Sequence, residues 1–420
     1  MTTILFGGWA GSNGYSPGTS DFTQWSYYNA KMGRNFQIWR QRGNTGQFDQ
    51  PVIKNVSQAT TMMNAKTVYS TNLNPRFGKA GRKWGIPYQD VLDGAWDTHT
   101  DVIRATTGGK ALLTARYGAA AVGDAGVGTF LSLQEQGTDL LALQTAVGTN
   151  YANKGFVLME MHSEANVQHG FPDAQPDVPD SPGFADTAAN RQRFADWLIY
   201  IINYWEAMGV KNILYAISLA GTFYAGTTAD PYWKQILAAE SAASRTYIHL
   251  VGVDRYSTPK TVGPNASKDW GIILDAPLAY AKAHAKYVCV FETGVEPGAG
   301  NGGKGGTATT YNTKPDFFQQ AQQYGSIEKA NNDRLWGTVY NMGNEGVHFY
   351  EPESETDADA ANSVKNPPVV TGAYSRASWT KFNAWANHAD WAIGTPLLVP
   401  PSSGAGAGSQ QGSVAFSGLG

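Results

Sequence analysis

The chain has 420 residues, of which 42% are hydrophobic, with 31 Lys and Arg against 34 Asp and Glu for a formal net charge of -3. That is enough apolar material for one large core, and the charge balance leaves no basic field of the kind nucleic acid or an anionic membrane surface needs. The one cysteine, Cys289, excludes a disulfide framework and a thiolate metal site.

At the N-terminus, MTTILFGGWAG has neither the basic n-region nor the long apolar h-region of a secretory signal. Nowhere does an apolar stretch approach the roughly 20 residues of a membrane span, so no membrane insertion is expected. Short apolar runs follow at 3–9, 35–40, 65–70, 111–117, 155–161, 212–218, 248–254, 287–292 and 335–341. They are continuous and not alternating, as strands covered on both faces are. Helical character lies near 95–107, 187–208, 231–243, 276–285, 315–324 and 376–391. The clearest case is 187–208, where Phe194, Trp197, Leu198, Ile201 and Trp205 recur at three- and four-residue spacing ahead of Gly209.

Alternating strands and helices predict an α/β fold with a parallel sheet, here a (β/α)8 barrel. Nine runs compete for eight places, so 65–70 or 111–117 is expected to be an insertion or no strand at all. The barrel domain is expected over 1–396. From 397 to 420 the chain reads LLVPPSSGAGAGSQQGSVAFSGLG, a Pro stop and a Gly/Ser/Ala stretch expected to be a linker or attachment tail.

Barrel enzymes carry their chemistry at the carboxyl ends of the strands. Two of those ends bear a carboxylate: Glu164 follows the run at 155–161, and Glu292 closes YVCVFE. Counting the run at 155 as the fourth strand puts them on strands 4 and 7, across the barrel mouth from each other. Two carboxyl groups about 5–5.5 Å apart there would protonate a leaving oxygen and attack the anomeric carbon, the arrangement of a retaining glycosidase. The 13 Trp and 21 Tyr suit sugar faces, although a large barrel also buries many aromatics.

In order and spacing, HSEAN, VGVDRY and VFETG resemble the glycoside hydrolases of clan A, and among them the family 26, β-mannanase-like type. FGGWAG and DGAWDTHTDVIRA share that likeness, which runs from about residue 4 to 345. The resemblance implies that Glu164 is the general acid/base, Asn166 a substrate-side hydrogen-bonding partner, and Glu292 the nucleophile, with Tyr256 orienting it. In the family a His directly precedes the acid/base; here Ser163 intervenes, His162 is one position further back, and VQHGFPDA replaces the Trp-rich stretch that normally follows. Mannan specificity is therefore not carried over. The ending GSVAFSGLG resembles connector sequences in minor tail proteins of phages that infect actinobacteria. That implies a place in a virion, other tail proteins as partners, and delivery to the host surface without a signal peptide.

Several residues keep two readings. Glu160 rivals Glu164, but its place inside an apolar run favours a buried, paired carboxylate. His162 is expected to hydrogen-bond beside the substrate; a metal site with Glu164 and His169 lacks further ligand spacing, and neither metal nor cofactor is expected. Asp254 either contacts substrate or pairs with Arg255 or another neighbour. Trp336 is either a sugar platform or core. GAGNGGKGGT at 298–307 is no phosphate loop, because Gly305 stands where Ser or Thr is needed. The acidic run EPESETDAD at 351–359 reads as a solvated loop. The expected activity is endo-acting hydrolysis of a bacterial cell-surface polysaccharide, against a non-catalytic glycan-binding or structural tail protein, or an ordinary β-mannanase.

Overall fold

The computed structural model describes residues 2–9, 21–40, 56–65, 67–73, 110–115, 156–161, 187–220, 230–254, 269–295, 314–331, 334–342, 344–345, 348–349, 377–392 and 395–396, with scattered positions between 132 and 149. Parallel strands close into one ring: β1 (Leu5–Trp9), β2 (Ile38–Arg40), β3 (Val68–Leu73), β4 (Lys110–Ala115), β5 (Phe156–Met161), β6 (Ile213–Ala220), β7 (Leu250–Asp254), β8 (Tyr287–Thr293) and β9 (Leu335–Asn341). Among the described residues the helices are α1 (Asp21–Met32), α2 (Val56–Asn64), α3 (Ala188–Ala207), α4 (Asp230–Ala243), α5 (Asp269–Ala283), α6 (Lys314–Asn331), α7 (Ala377–Ala386) and α8 (Ala389–Ala392).

This is the α/β barrel of the (β/α)8 type that the alternation predicts, with one strand more than eight in the ring. The expectation that 65–70 or 111–117 drops out is corrected. Val68–Leu73 pairs with β2 on one side and β4 on the other, and Lys110–Ala115 makes a six-residue register with β5. Both runs pair in parallel with a strand on either side, so both belong to the ring. Counted in it, Glu292 lies on the eighth strand and Glu164 follows the fifth. They remain three strands apart, because the additional strand enters the early arc.

Local chemistry sets the helix ends. Thr187 caps α3 by accepting from the Asn190 amide at 3.2 Å, and Gly209 ends it with φ 88°, a conformation a side chain resists. Helix α5 starts ahead of the expected 276 and runs through Pro277, because buried Trp270, Ile273 and Leu274 extend its apolar face. The stretch 376–391 divides at Asn387–His388, where His388 Nδ1 accepts from the Asp390 amide at 3.3 Å and opens α8. Helices α1 and α2 were not anticipated, and 95–107 lies outside the described residues.

The core has two layers. Outside the ring, Phe6, Phe318, Tyr340, Phe382, Trp385 and Trp391 pack where α6, α7 and α8 cover the junction between the last strand and the first. Full burial of each such ring stabilises by on the order of 1.5–3 kcal/mol. Inside the ring, Leu158, Leu214, Leu250, Phe291, Trp336 and Val339 fill the barrel. Below it, Thr2–Thr3 pairs in parallel with Thr395–Pro396. No helix among the described residues is long and apolar enough to cross a membrane.

Candidate active site

Strand side chains alternate between faces, so the interior residues of each strand fix which later residues point inward. On β6, Leu214 and Ala216 belong to the interior cluster, and Ser218 continues their phase. On β7, Leu250 is interior and Asp254 keeps its phase; on β5, Leu158 is interior and Glu160 follows. Three inward polar side chains thus gather toward the carboxyl ends of adjacent strands.

Strand β8 reaches the same end by a different device. Cys289 and Phe291 are interior, and strict alternation would turn Glu292 outward toward the helices. Between Val253 and Asp254 the β7–β8 register shifts: Val253 pairs with Val290, but Asp254 pairs with Glu292. The shift brings Glu292 level with the inward Asp254. Thr293 then pairs with Tyr340, a residue of the outer layer, which agrees with an inward Glu292. A bulge that re-aims a side chain is a recurrent feature next to active sites. It leaves Glu292 half-buried at the end of its strand.

Ser218 is fully buried and Asp254 is 3% exposed, and the Ser218 hydroxyl donates to Asp254 Oδ2 at 2.5 Å. Glu160 is fully buried on the inward face of β5, in register with Ala216. Asn341 ends β9, fully buried and level with Trp9 of β1. Four strands therefore bring Glu160, Asp254, Glu292 and Asn341 to the inner surface near the mouth.

Of the residues singled out in the sequence, Glu292 and Asp254 are brought together at the carboxyl end. Asp254 has a neighbour in Ser218, whose hydroxyl donates to it. Glu160 is buried, as its place in an apolar run predicts. Trp336 is corrected as a sugar platform: it is the second residue of β9, roughly 16 Å below Asn341 along the strand, fully buried among Leu5, Ile38 and other interior side chains. An enclosed ring offers no face to a sugar, so its role is core packing. Glu164, His162, Asn166, Tyr256 and His169 lie outside the described residues, as do 298–307, 351–359 and 397–420. Sequence reasoning missed Ser218 and Asn341. Ser218 was legible in principle, since it sits in phase with Leu214 and Ala216 near the end of an apolar run.

No protein-family model matches the chain, and no curated protein sequence does. Among solved structures the chain is similar to the modular endo-β-1,4-mannanase of Cellulomonas fimi, a family 26 glycoside hydrolase. Identity there is 14% over 93% of this chain and 72% of that one, with a TM-score of 0.50. It is also similar to the family 26 β-mannanase of Bacteroides ovatus, at 12% identity over 96% of this chain and 95% of that one, with a TM-score of 0.48. At such identity the Cellulomonas likeness shows a shared fold, the α/β barrel already described.

Proposed function

We propose that the protein is a retaining glycoside hydrolase. The observation that carries the reading is the bulge that turns Glu292 inward at the carboxyl end of β8. A bulge that turns a carboxylate inward at the carboxyl end of a barrel strand supports this reading, because bulges recur next to active sites and barrels carry their chemistry at that end. The chain leaves β5 at Met161 and reaches Glu164 three residues later, which supports Glu164 as the second carboxyl group.

In this mechanism Glu164 donates its proton to the departing glycosidic oxygen as Glu292 attacks the anomeric carbon, forming a glycosyl ester and releasing the chain fragment that carries that oxygen. Water then attacks the same carbon, Glu164 takes its proton, and Glu292 leaves as a free carboxylate. The substrate we propose is a bacterial cell-surface polysaccharide, cut within the chain. His162, Asn166 and Tyr256 would surround the scissile bond. The Gly/Ser/Ala stretch ending GSVAFSGLG supports a setting in a phage tail acting at an actinobacterial surface, with other tail proteins as neighbours.

Reducing-sugar release from mannans, galactans, arabinans and actinobacterial cell-wall glycans tests this, with Glu164→Gln and Glu292→Gln beside the parent. Release that falls about 10^3-fold or more in both variants is expected. Release from plain mannan alone would make the protein an ordinary β-mannanase. Binding of one glycan by all three proteins, with none cut, would replace the hydrolase by a binding protein.

A further inference from the structure

Asp254 and Glu292 are register partners on adjacent strands, which sets their Cα atoms about 5 Å apart. Both lie on the inward face, so two carboxylates stand side by side at the mouth. Like charges at that spacing repel. In the ring β7 lies between β8, which carries Glu292, and β6, which carries Ser218. The Ser218 hydroxyl therefore reaches Asp254 Oδ2 from the side away from Glu292, at 2.5 Å.

This contact is built into the backbone. Ser218 pairs with Gly252, two residues below Asp254. A Cβ on Gly252 would stand 2.7 Å from Ser218 Cα and 2.8 Å from both Ser218 Cβ and the Ile217 carbonyl oxygen. Any side chain at 252 would push the strands apart or move Ser218 from beneath Asp254. Among the described side chains on the inward face, Glu160 of β5 is the other charged group near this end, and Asn341 of β9 is neutral.

We propose that Ser218 is a positioning residue of the site: by donating from β6 it turns the Asp254 carboxylate away from Glu292 and holds the two carboxylates apart. The catalytic consequence rests on the glycosidase reading; the positioning itself does not. A residue without a hydroxyl donor in place of Ser218 would free Asp254 to swing toward Glu292.

Carboxyl ¹³C resonances of the full chain, labelled at Asp and Glu, test the claim without any turnover. The Glu292 signal is the one lost in Glu292→Gln. In Ser218→Ala its titration midpoint should rise by about half a pH unit or more. Ser218→Thr, which keeps the hydroxyl, should titrate as the parent does, and adding Asp254→Asn to Ser218→Ala should bring the midpoint back down. If Ser218→Ala does not fold, Ser218→Cys, with its poorer donor, carries the same titration. An unmoved midpoint in the folded variant overturns the proposal. In hydrolysis, the acid limb of kcat/KM should move up by the same amount, with kcat falling and KM little changed. A parent that cuts no glycan would sink the glycosidase reading, while the carboxyl titration would still decide the role of Ser218.

Discussion

The two ends of the barrel treat charge in opposite ways. At the amino-terminal end, Lys286 Nζ donates to Glu240 Oε2 at 2.6 Å and to the Ile248 carbonyl at 2.7 Å. Glu240 Oε1 accepts the Tyr247 and Ile248 amides at 2.7 and 2.9 Å. Opposite charges meet there, and the loops entering β7 and β8 are tied to the end of α4. At the carboxyl-terminal end, a bulge sets Glu292 level with Asp254, like beside like. One end of the same fold pairs opposite charges and is stabilised by them; the other sets two carboxyl side chains on neighbouring strands, at the end where barrels carry their sites.

Substitutions can break this contrast from either side, and the largest effect belongs to the mouth. Glu292→Gln should leave unfolding within about 0.5 kcal/mol of the parent, because a half-buried polar group is replaced by a polar one. Hydrolysis should nevertheless fall ~10^3-fold or more. At the other end, Lys286→Met leaves the Glu240 carboxylate buried without its counter-charge and should cost about 3–5 kcal/mol in urea unfolding. Activity per folded molecule should be kept. A folded Lys286→Met protein without activity would mean that the two ends are coupled.

The sequence made some of this arrangement legible and hid the rest for physical reasons. All nine ring strands stand out as continuous apolar runs, yet the expectation of eight led to one being discounted. Apolar continuity reports burial on both faces and says nothing about how many strands close a ring. The α3 helix was legible because its buried face and its terminal glycine agree. Glu292 was found because it ends a strand, but its direction depends on a register shift that alternation cannot reveal. Trp336 was assigned two roles because an aromatic ring suits a sugar and a core equally; its place near the start of β9 decides between them. Ser218 escaped notice because a hydroxyl inside NILYAIS reads as an interruption, and only the register beside Gly252 gives it a partner.

The next effect in size depends on pH and again belongs to the amino-terminal end. His249 lies just before β7, its amide donates to the Tyr215 carbonyl at 2.9 Å, and its ring stacks on Tyr215 at 6.5 Å. Burial, reinforced by Lys286, pushes its imidazole down to about 4. The folded protein then holds it neutral, whereas the unfolded chain takes up a proton below about 6.5. Its contribution is fully present above that value and is lost as pH falls through about 4, a change of about 3 kcal/mol. Urea midpoints measured from pH 7 to 4 should fall less steeply in His249→Gln than in the parent. Equal slopes would show that other groups govern acid unfolding.

The smallest effect comes from a second ion pair at the same end. Arg245 Nη2 lies 2.5 Å from Glu206 Oε1, a shorter contact than that between Lys286 and Glu240, and Arg245 also sits 4.4 Å over the Tyr247 ring. Distance alone would make this the stronger pair. Its side chains, however, are 35% and 34% exposed, so water and salt screen the attraction. A double-mutant cycle of Arg245→Gln with Glu206→Gln should give a coupling of about 0.2–1 kcal/mol, shrinking as salt is added. Loss of the cation–π contact should add about 0.5 kcal/mol to the Arg245 single variant and to the double variant alike, and so cancel from the coupling. A coupling as large as the cost of Lys286→Met, and insensitive to salt, would show that contact distance and not burial sets the strength of this end, and the contrast with the mouth would have to be redrawn on that basis.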